Sequence, residues 1–272
     1  SLGLTQRLLV ERDHPRCDVF WNNQVLGTAQ LAEEGILLPY KGSGYSRIPK
    51  VFKHPDGLWT GFAGRLRVWI VNTDKLAPDE DSLKRKLESD DLARFAIAEP
   101  LYGTTLSHFG ILWQDWGPES LKDWHADIQR RNARIVQGNA TVKNLVAEGV
   151  CDFGWTDTDD FFVALDDGFP VQMAPLRVNG KTICLPNSVA IIRGTKRLTD
   201  SQRLVDFLLS EKTELALAAS AARQIPLGLV DQKQLSEDVR QMTEWAQESV
   251  RITDYSHSRN ECLEWLKSVS TP

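Results

Sequence analysis

Residues 134–162 read RIVQGNATVKNLVAEGVCDFGWTDTDDFF, and this stretch decides the fold class. Arg134 to Val136 is a short strand that Gly138 and Asn139 interrupt, after which Val142, Leu145 and Val146 recur at the spacing of one helix face. Gly149 falls where a helix end favours left-handed backbone. Cys151 to Thr156 then predicts a second buried strand, and beyond the polar run from Thr156 to Asp160 a further helix carries Phe161, Phe162 and Leu165. Strand, helix, strand, helix in so short a span means strands in a sheet with helices packed on its faces.

The same alternation extends in both directions. Upstream, Phe95 to Ala98 predicts a strand, followed by a helix from about Thr105 to Trp116 and another opened by Pro118, with Leu121, Trp124 and Ile128 on its inner face. A charged stretch from Ala77 to Asp91 marks a surface helix or a lobe boundary. Before it, Leu58 to Asn72 reads as a hairpin turning near Ala63 and Gly64, with a second arm buried on both faces. The chain opens with Leu4, Leu8 and Leu9 on one helical face. A strand from Cys17 to Trp21 follows, then a helix carrying Val25, Leu26, Ala29 and Ala32 that Gly35 ends. Downstream, strands are expected at Val171 to Ala174, Thr182 to Leu185 and Ser188 to Ile192, and then a helical tail. The pattern predicts mainly parallel sheets between helix layers.

At 272 residues the chain has room for one large or two ordinary domains. Its 42% hydrophobic and 25% charged residues are those of a packed globular protein. A net charge of -5 supplies no broad positive field, so nucleic acid is not expected as a partner. No apolar run approaches the roughly 18 residues that span a bilayer. Ser1 to Val10 lacks the features of a secretory signal, so no export signal is read in this chain. Cys17, Cys151, Cys184 and Cys262 are too scattered for a zinc or redox motif and are expected to be buried free thiols. No nucleophile elbow, phosphate-binding P-loop or dinucleotide fingerprint occurs, and no catalysis is expected.

In α/β sheets, ligands lie beyond the carboxyl ends of strands, where helix starts offer free amides. That rule selects Asn22, Asn23 and Gln24 after the first strand; Arg65, with Arg67 on the same strand face; Gly103, Thr104 and Thr105; Asn139; and Thr156, Asp157, Thr158 and Asp159. Gly103 to Thr105 can cradle an anion, though the same residues make an ordinary helix cap. In the acidic run, Asp157 and Asp159 can ligate a hard cation through oxygen, or can simply complement a helix dipole. An arginine of the 65/67 pair can clamp an anion or form a structural salt bridge. Among the histidines, His108 alone lies near these loops, one helical turn beyond Thr104.

Several segments, in order, resemble ferric-type periplasmic solute-binding proteins of bacterial ABC transporters. They are Cys17 to Gln24 with Gln30 to Leu37, Thr60 to Val68, Asn139 to Val146, Pro186 to Ile191, Leu204 to Ser210 and Gln224 to Leu227. The resemblance implies a type II periplasmic-binding fold: two α/β lobes joined by crossover hinge strands. The first lobe would comprise residues 1–72 plus 186–272, lacking its opening strand and helix, and the second residues 73–185. It also implies a periplasmic location and a receptor that captures ferric iron, or an anion-associated small solute, in an interlobe cleft and delivers it to an ABC permease. An anion is expected on the helix start at Gly103, Thr104 and Thr105, near Asn139. No cofactor is required, and Fe3+ with a synergistic anion would be the transported ligand. Two positions depart from the family: Thr158 and Asp159 stand where ferric-binding members carry adjacent tyrosines, and Gln24 where many carry a glutamate. The alternatives are therefore a receptor for an organic or phosphorylated anion without metal, or a non-transport enzyme or sensor on the same fold.

Overall fold

The computed structural model describes residues 2–270. The chain divides into two compact units, Ser1–Arg65 with Cys184–His257, and Leu66–Ile183 with Ser258–Pro272. Whereas the sequence assigns the whole tail to the first unit, residues 258–272 group with the second.

In the first unit, α1 (Leu2–Val10), β1 (Val19–Asn22), α2 (Val25–Glu33), β2 (Leu37–Leu38) and α3 (Ser43–Arg47) lead into β3 (Thr60–Asn72), which runs on into the second unit. Gly35 takes the left-handed backbone expected after α2, with φ 72°. The second unit continues with α4 (Glu80–Leu87), β4 (Phe95–Ala98), α5 (Gly103–Asp115), α6 (Pro118–Arg130), β5 (Arg134–Val136), α7 (Asn139–Ala147), β6 (Phe153–Asp157) and α8 (Thr158–Asp166). β7 (Val171–Pro175), β8 (Arg177–Val178) and β9 (Lys181–Thr182) follow. The chain returns to the first unit through β10 (Cys184–Ile192), α9 (Leu198–Leu208), α10 (Glu211–Ala218) and α11 (Glu237–Gln247), and ends with α12 (Ser256–Ser270).

The sheets are mixed rather than mainly parallel. β10 pairs antiparallel with β1 and β2 in the first unit. In the second, β4 pairs parallel with β5 and β6, but β3 pairs antiparallel with both β6 and β7. The α/β alternation sets the parallel part, and β3, which enters from the first unit, pairs antiparallel with β6 and β7.

The hairpin expected at residues 58–72 is a single strand. Ala63 does adopt left-handed backbone, with φ 45°, but the strand bends there without reversing. Its amide donates to Glu214 Oε1 at 3.1 Å and its carbonyl accepts from Asn187. Gly64 bonds Ile225 at 2.8 Å in both directions. The buried Glu214 also accepts from the amides of Leu227 and Gly228, at 2.8 and 3.0 Å, and from Arg47 at 3.2 Å. These partners satisfy the backbone groups that a regular strand would have paired, so the bulge costs little. Downstream, two separately expected strands merge into β10, which passes through Pro186.

In the second unit, one face of the sheet carries Trp69, Phe95, Phe153 and Trp155 in mutual aromatic contact, with centroids 4.8–6.2 Å apart. Gly154, between two of them, projects toward the opposite face, where α7 packs. A Cβ at Gly154 would lie 2.6 Å from the Ala96 carbonyl oxygen and 2.6 Å from Val142 of α7. The absent side chain thus lets α7 lie close to the sheet and fixes where its first residue, Asn139, is presented. Gly154→Ala is expected to destabilise the protein by about 1–3 kcal/mol through overpacking, read as a lower urea midpoint with an unchanged slope. An unchanged midpoint would show that α7 is free to shift.

Candidate functional site

Three helices of the second unit start just beyond the carboxyl ends of parallel strands: α5 after β4, α7 after β5, and α8 directly after β6. Ala98 pairs with Val136 and Ile97 with Trp155, so the strand ends are level and the helix starts converge. The antiparallel register of β3 on β6 sets Arg67 opposite Asp157. Local backbone rules thereby gather residues from four segments at one end of one sheet.

The centre of the cluster is Asp157, buried at the end of β6. Its Oδ1 accepts from Arg67 Nη1 at 2.7 Å. Its Oδ2 accepts from the Thr104 hydroxyl at 2.6 Å and from Asn139 Nδ2 at 3.1 Å. Arg67 Nη1 also reaches Asn139 Oδ1 at 3.1 Å, Thr105 donates to the same oxygen at 3.2 Å, and Asn139 Nδ2 reaches the Thr104 hydroxyl at 3.0 Å. The short distances at the carboxylate are those of charge-assisted bonds.

Arg67 is fully buried, and its Nε and Nη2 have no hydrogen-bond partner. The excess positive field is felt by His108 on α5. Burial, and then the Arg67 charge, hold this imidazole well below its ordinary range, so it stays neutral. His108 packs 4.7 Å from Trp155, which stacks in turn on Trp124 at 5.2 Å. Trp155 is therefore part of the core, whereas Trp21 in the first unit is exposed.

Asp157, Asp159 and Asp160 each offer an oxygen within 4.8 Å of the others. Asp160 is pushed up to about 7, first by burial and then by the Asp157 and Asp159 charges, against the opposing pull of Arg67 and a bond from Thr156 at 3.3 Å. The run is thus not a uniform acidic patch. Asp157 is locked in hydrogen bonds, Asp160 is half-neutral near pH 7, and Asp159 is part-exposed at the first turn of α8.

Of the sequence-selected residues, Thr104, Thr105, Asn139, Thr156 and Asp157 meet directly, with Thr156 also donating to the Asn139 carbonyl at 3.4 Å. Gly103, with φ 59°, opens the same helix as Thr104. The Thr158 hydroxyl, fully buried, accepts from the Leu66 amide at 3.3 Å. Asn22, Asn23, Gln24 and Arg65 form their own cluster within the first unit. Asn22 closes a turn on Gln24, with bonds of 2.8 and 3.2 Å, and Arg65 donates to the Asn23 carbonyl at 2.5 Å. Arg67, not Arg65, is the arginine at the acidic run. The signal that finds it is its register opposite Asp157, which the hairpin reading concealed. All four cysteines are free, and Cys17 is only part-buried.

No family profile matches the sequence. The fold is that of the type II periplasmic binding proteins. Iron-bound HitA from Pseudomonas aeruginosa superposes with a TM-score of 0.83 at 19% identity, covering 99% of this chain and 88% of that one. AfuA from Actinobacillus pleuropneumoniae, with fructose-6-phosphate bound, superposes with a TM-score of 0.78 at 17% identity, covering 99% of this chain and 88% of that one. In sequence, the chain is 25% identical over 227 residues to "Iron uptake protein A1" of Synechocystis sp., covering 79% of this chain and 63% of the relative. It is 26% identical over 233 residues to "Probable ABC transporter periplasmic-binding protein y4fP" of Sinorhizobium fredii, covering 82% and 64%. The resemblance to ferric-type solute-binding proteins thus holds in both sequence and fold. The relatives named are transport proteins, and the chain spans under two thirds of the length of these curated relatives. Among the described residues, no helix is long and apolar enough to cross a membrane.

The raised Asp160 carboxyl makes stability depend on pH. An unfolded aspartate titrates near 3.9. Between about pH 4 and 7 the folded state therefore holds more protons, and stability falls as pH rises through that window. Asp160→Asn is expected to flatten this decline and to raise Tm at pH 7.5, with no benefit below pH 4. Melting curves across pH check this, and equal slopes for the two proteins would refute the buried-carboxyl account.

Proposed function

We propose that this chain is the ligand-binding component of an ABC importer, working in the periplasm, with ferric iron as its cargo and an ABC permease as its partner. The observation that carries the reading is the coincidence of fold and site. A scaffold shared with iron-bound HitA places three helix starts and a carboxylate cluster at one end of the second unit's sheet. Sequence similarity to an iron uptake protein over 79% of the chain points the same way.

Ferric ion is a hard cation that takes oxygen ligands. Asp159, part-exposed at the first turn of α8, would supply one carboxylate ligand. Asp157 contributes its charge and any lone pair that its hydrogen bonds leave open; a carboxylate has about four such sites. The phenolate pair of the ferric-binding family is replaced by Thr158 and Asp159, so the ligand set here is carboxylate-based. A second reading, an organic or phosphorylated anion without metal, is favoured by the donors Thr104, Asn139 and Arg67 and by the fructose-6-phosphate bound to AfuA. On either reading the side chains bind and orient a solute and carry out no chemical step.

Calorimetric titration with ferric ion, delivered as a weak citrate chelate, and separately with fructose-6-phosphate separates the two readings. Saturable ferric binding that weakens roughly 10- to 100-fold in Asp159→Asn, about 1.4–2.7 kcal/mol, is expected. Saturable sugar-phosphate binding without metal would establish the second reading. Binding of neither would end the receptor assignment.

A further inference from the structure

We propose that Asp157 is a resident anion: its carboxylate occupies the donor cradle formed by Arg67, Thr104 and Asn139 and so excludes free phosphate or carboxylate ligands from it. This deepens the proposed function by fixing which ligand class the cradle refuses. It rests on that reading only in taking these helix starts as the ligand site.

The cradle combines what an anion needs: the first turns of α5 and α7, a hydroxyl, a primary amide and a guanidinium. Each of these side chains directs a hydrogen bond at the same carboxylate, at 2.6, 3.1 and 2.7 Å. Both carboxylate oxygens are used and Asp157 is buried, so an incoming anion would face a negative charge at the point where the hydroxyl, the amide and one guanidinium nitrogen already converge. Asp159 and Asp160 add like charge beside it. The independent observation is Arg67 itself. It is fully buried with two nitrogens unpartnered, so its charge is not dissipated elsewhere and Asp157 is what balances it. Truncating Asp157 would leave a buried cation facing a carboxylate-sized space lined by a hydroxyl and an amide. Such a site captures small anions from solution.

The consequence for the native protein is that its cargo need bring no anion of its own. Cation binding should be independent of phosphate and carbonate concentration, because the counter-charge is covalently part of β6.

The test is anion rescue. In Asp157→Ala, formate, acetate or inorganic phosphate is expected to raise Tm by about 3–5 °C at a tenfold excess over Kd. The native protein should show no such shift, and neither should Asp157→Ala combined with Thr104→Val. Asp157→Asn, which fills the space without charge, should also show no rescue. Folding of Asp157→Ala only in the presence of these anions would equally support the assignment. A folded Asp157→Ala that is indifferent to all three anions would overturn it. The native chain supplies a test that does not depend on that variant folding. Phosphorus NMR of inorganic phosphate is expected to show no saturable binding, and saturable binding abolished by Thr104→Val would overturn the proposal. None of these measurements uses the transported cargo, so a failed receptor assignment and a failed resident anion give different results.

Discussion

The buried ion pair between Arg67 and Asp157 is the constraint on which the second unit's site depends. Taking a guanidinium and a carboxylate out of water costs several kcal/mol per ion, and their attraction repays this only when geometry and further hydrogen bonds are good. Here the carboxylate gains a hydroxyl and an amide from two helix starts, while the guanidinium keeps two nitrogens without partners. The balance is complete on one side and incomplete on the other. Such an arrangement contributes less to stability than an apolar core of equal volume would, and a polar cluster kept at that cost at the end of a sheet is suited to ligand binding.

The fold supplies this arrangement by simple means. Parallel pairing of β4 with β5 and β6 levels three strand ends, and each is followed by a helix whose first turn carries a polar residue. Gly154 lets α7 approach the sheet, and Trp155, Trp124, Phe95 and Trp69 pack together in an aromatic group whose Trp155 also contacts His108. His108 stays neutral between this stack and Arg67 and adds no second charge. Asp160 reaches half-protonation near neutral pH, so the acidic run carries less charge than its sequence suggests.

Much of this was legible in the sequence because it is local. The strand and helix periods of residues 95–162, Pro118 at a helix start, and the glycines ending α2 and α7 all follow from spacing and backbone preference. The strand-end rule alone points to Thr104, Asn139 and Asp157. What was not legible depends on long-range pairing. Ala63 and Gly64 read as a turn, but Glu214, 151 residues further on, holds the bent strand open. Without that strand's register, Arg67 could not be told from Arg65. The pairing of helix-start donors with a neighbouring strand's carboxylate is likewise invisible until the sheet order is known. In sequence the acidic run reads equally as a cation site or as a complement to a helix dipole; in structure Asp157 accepts from donors on three neighbouring segments.

These observations give a type II periplasmic-binding scaffold whose second unit carries its own counter-ion, a feature set by one strand register and one residue at a strand end. The most direct measurement is a double-mutant cycle by urea denaturation on Arg67→Met and Asp157→Leu. Each single change is expected to cost about 3–5 kcal/mol because it strands a buried charge or its donors. The double variant should recover at least about 2 kcal/mol of the summed loss. Losses that add to within about 0.5 kcal/mol would contradict the account, since the two groups would then not be energetically coupled.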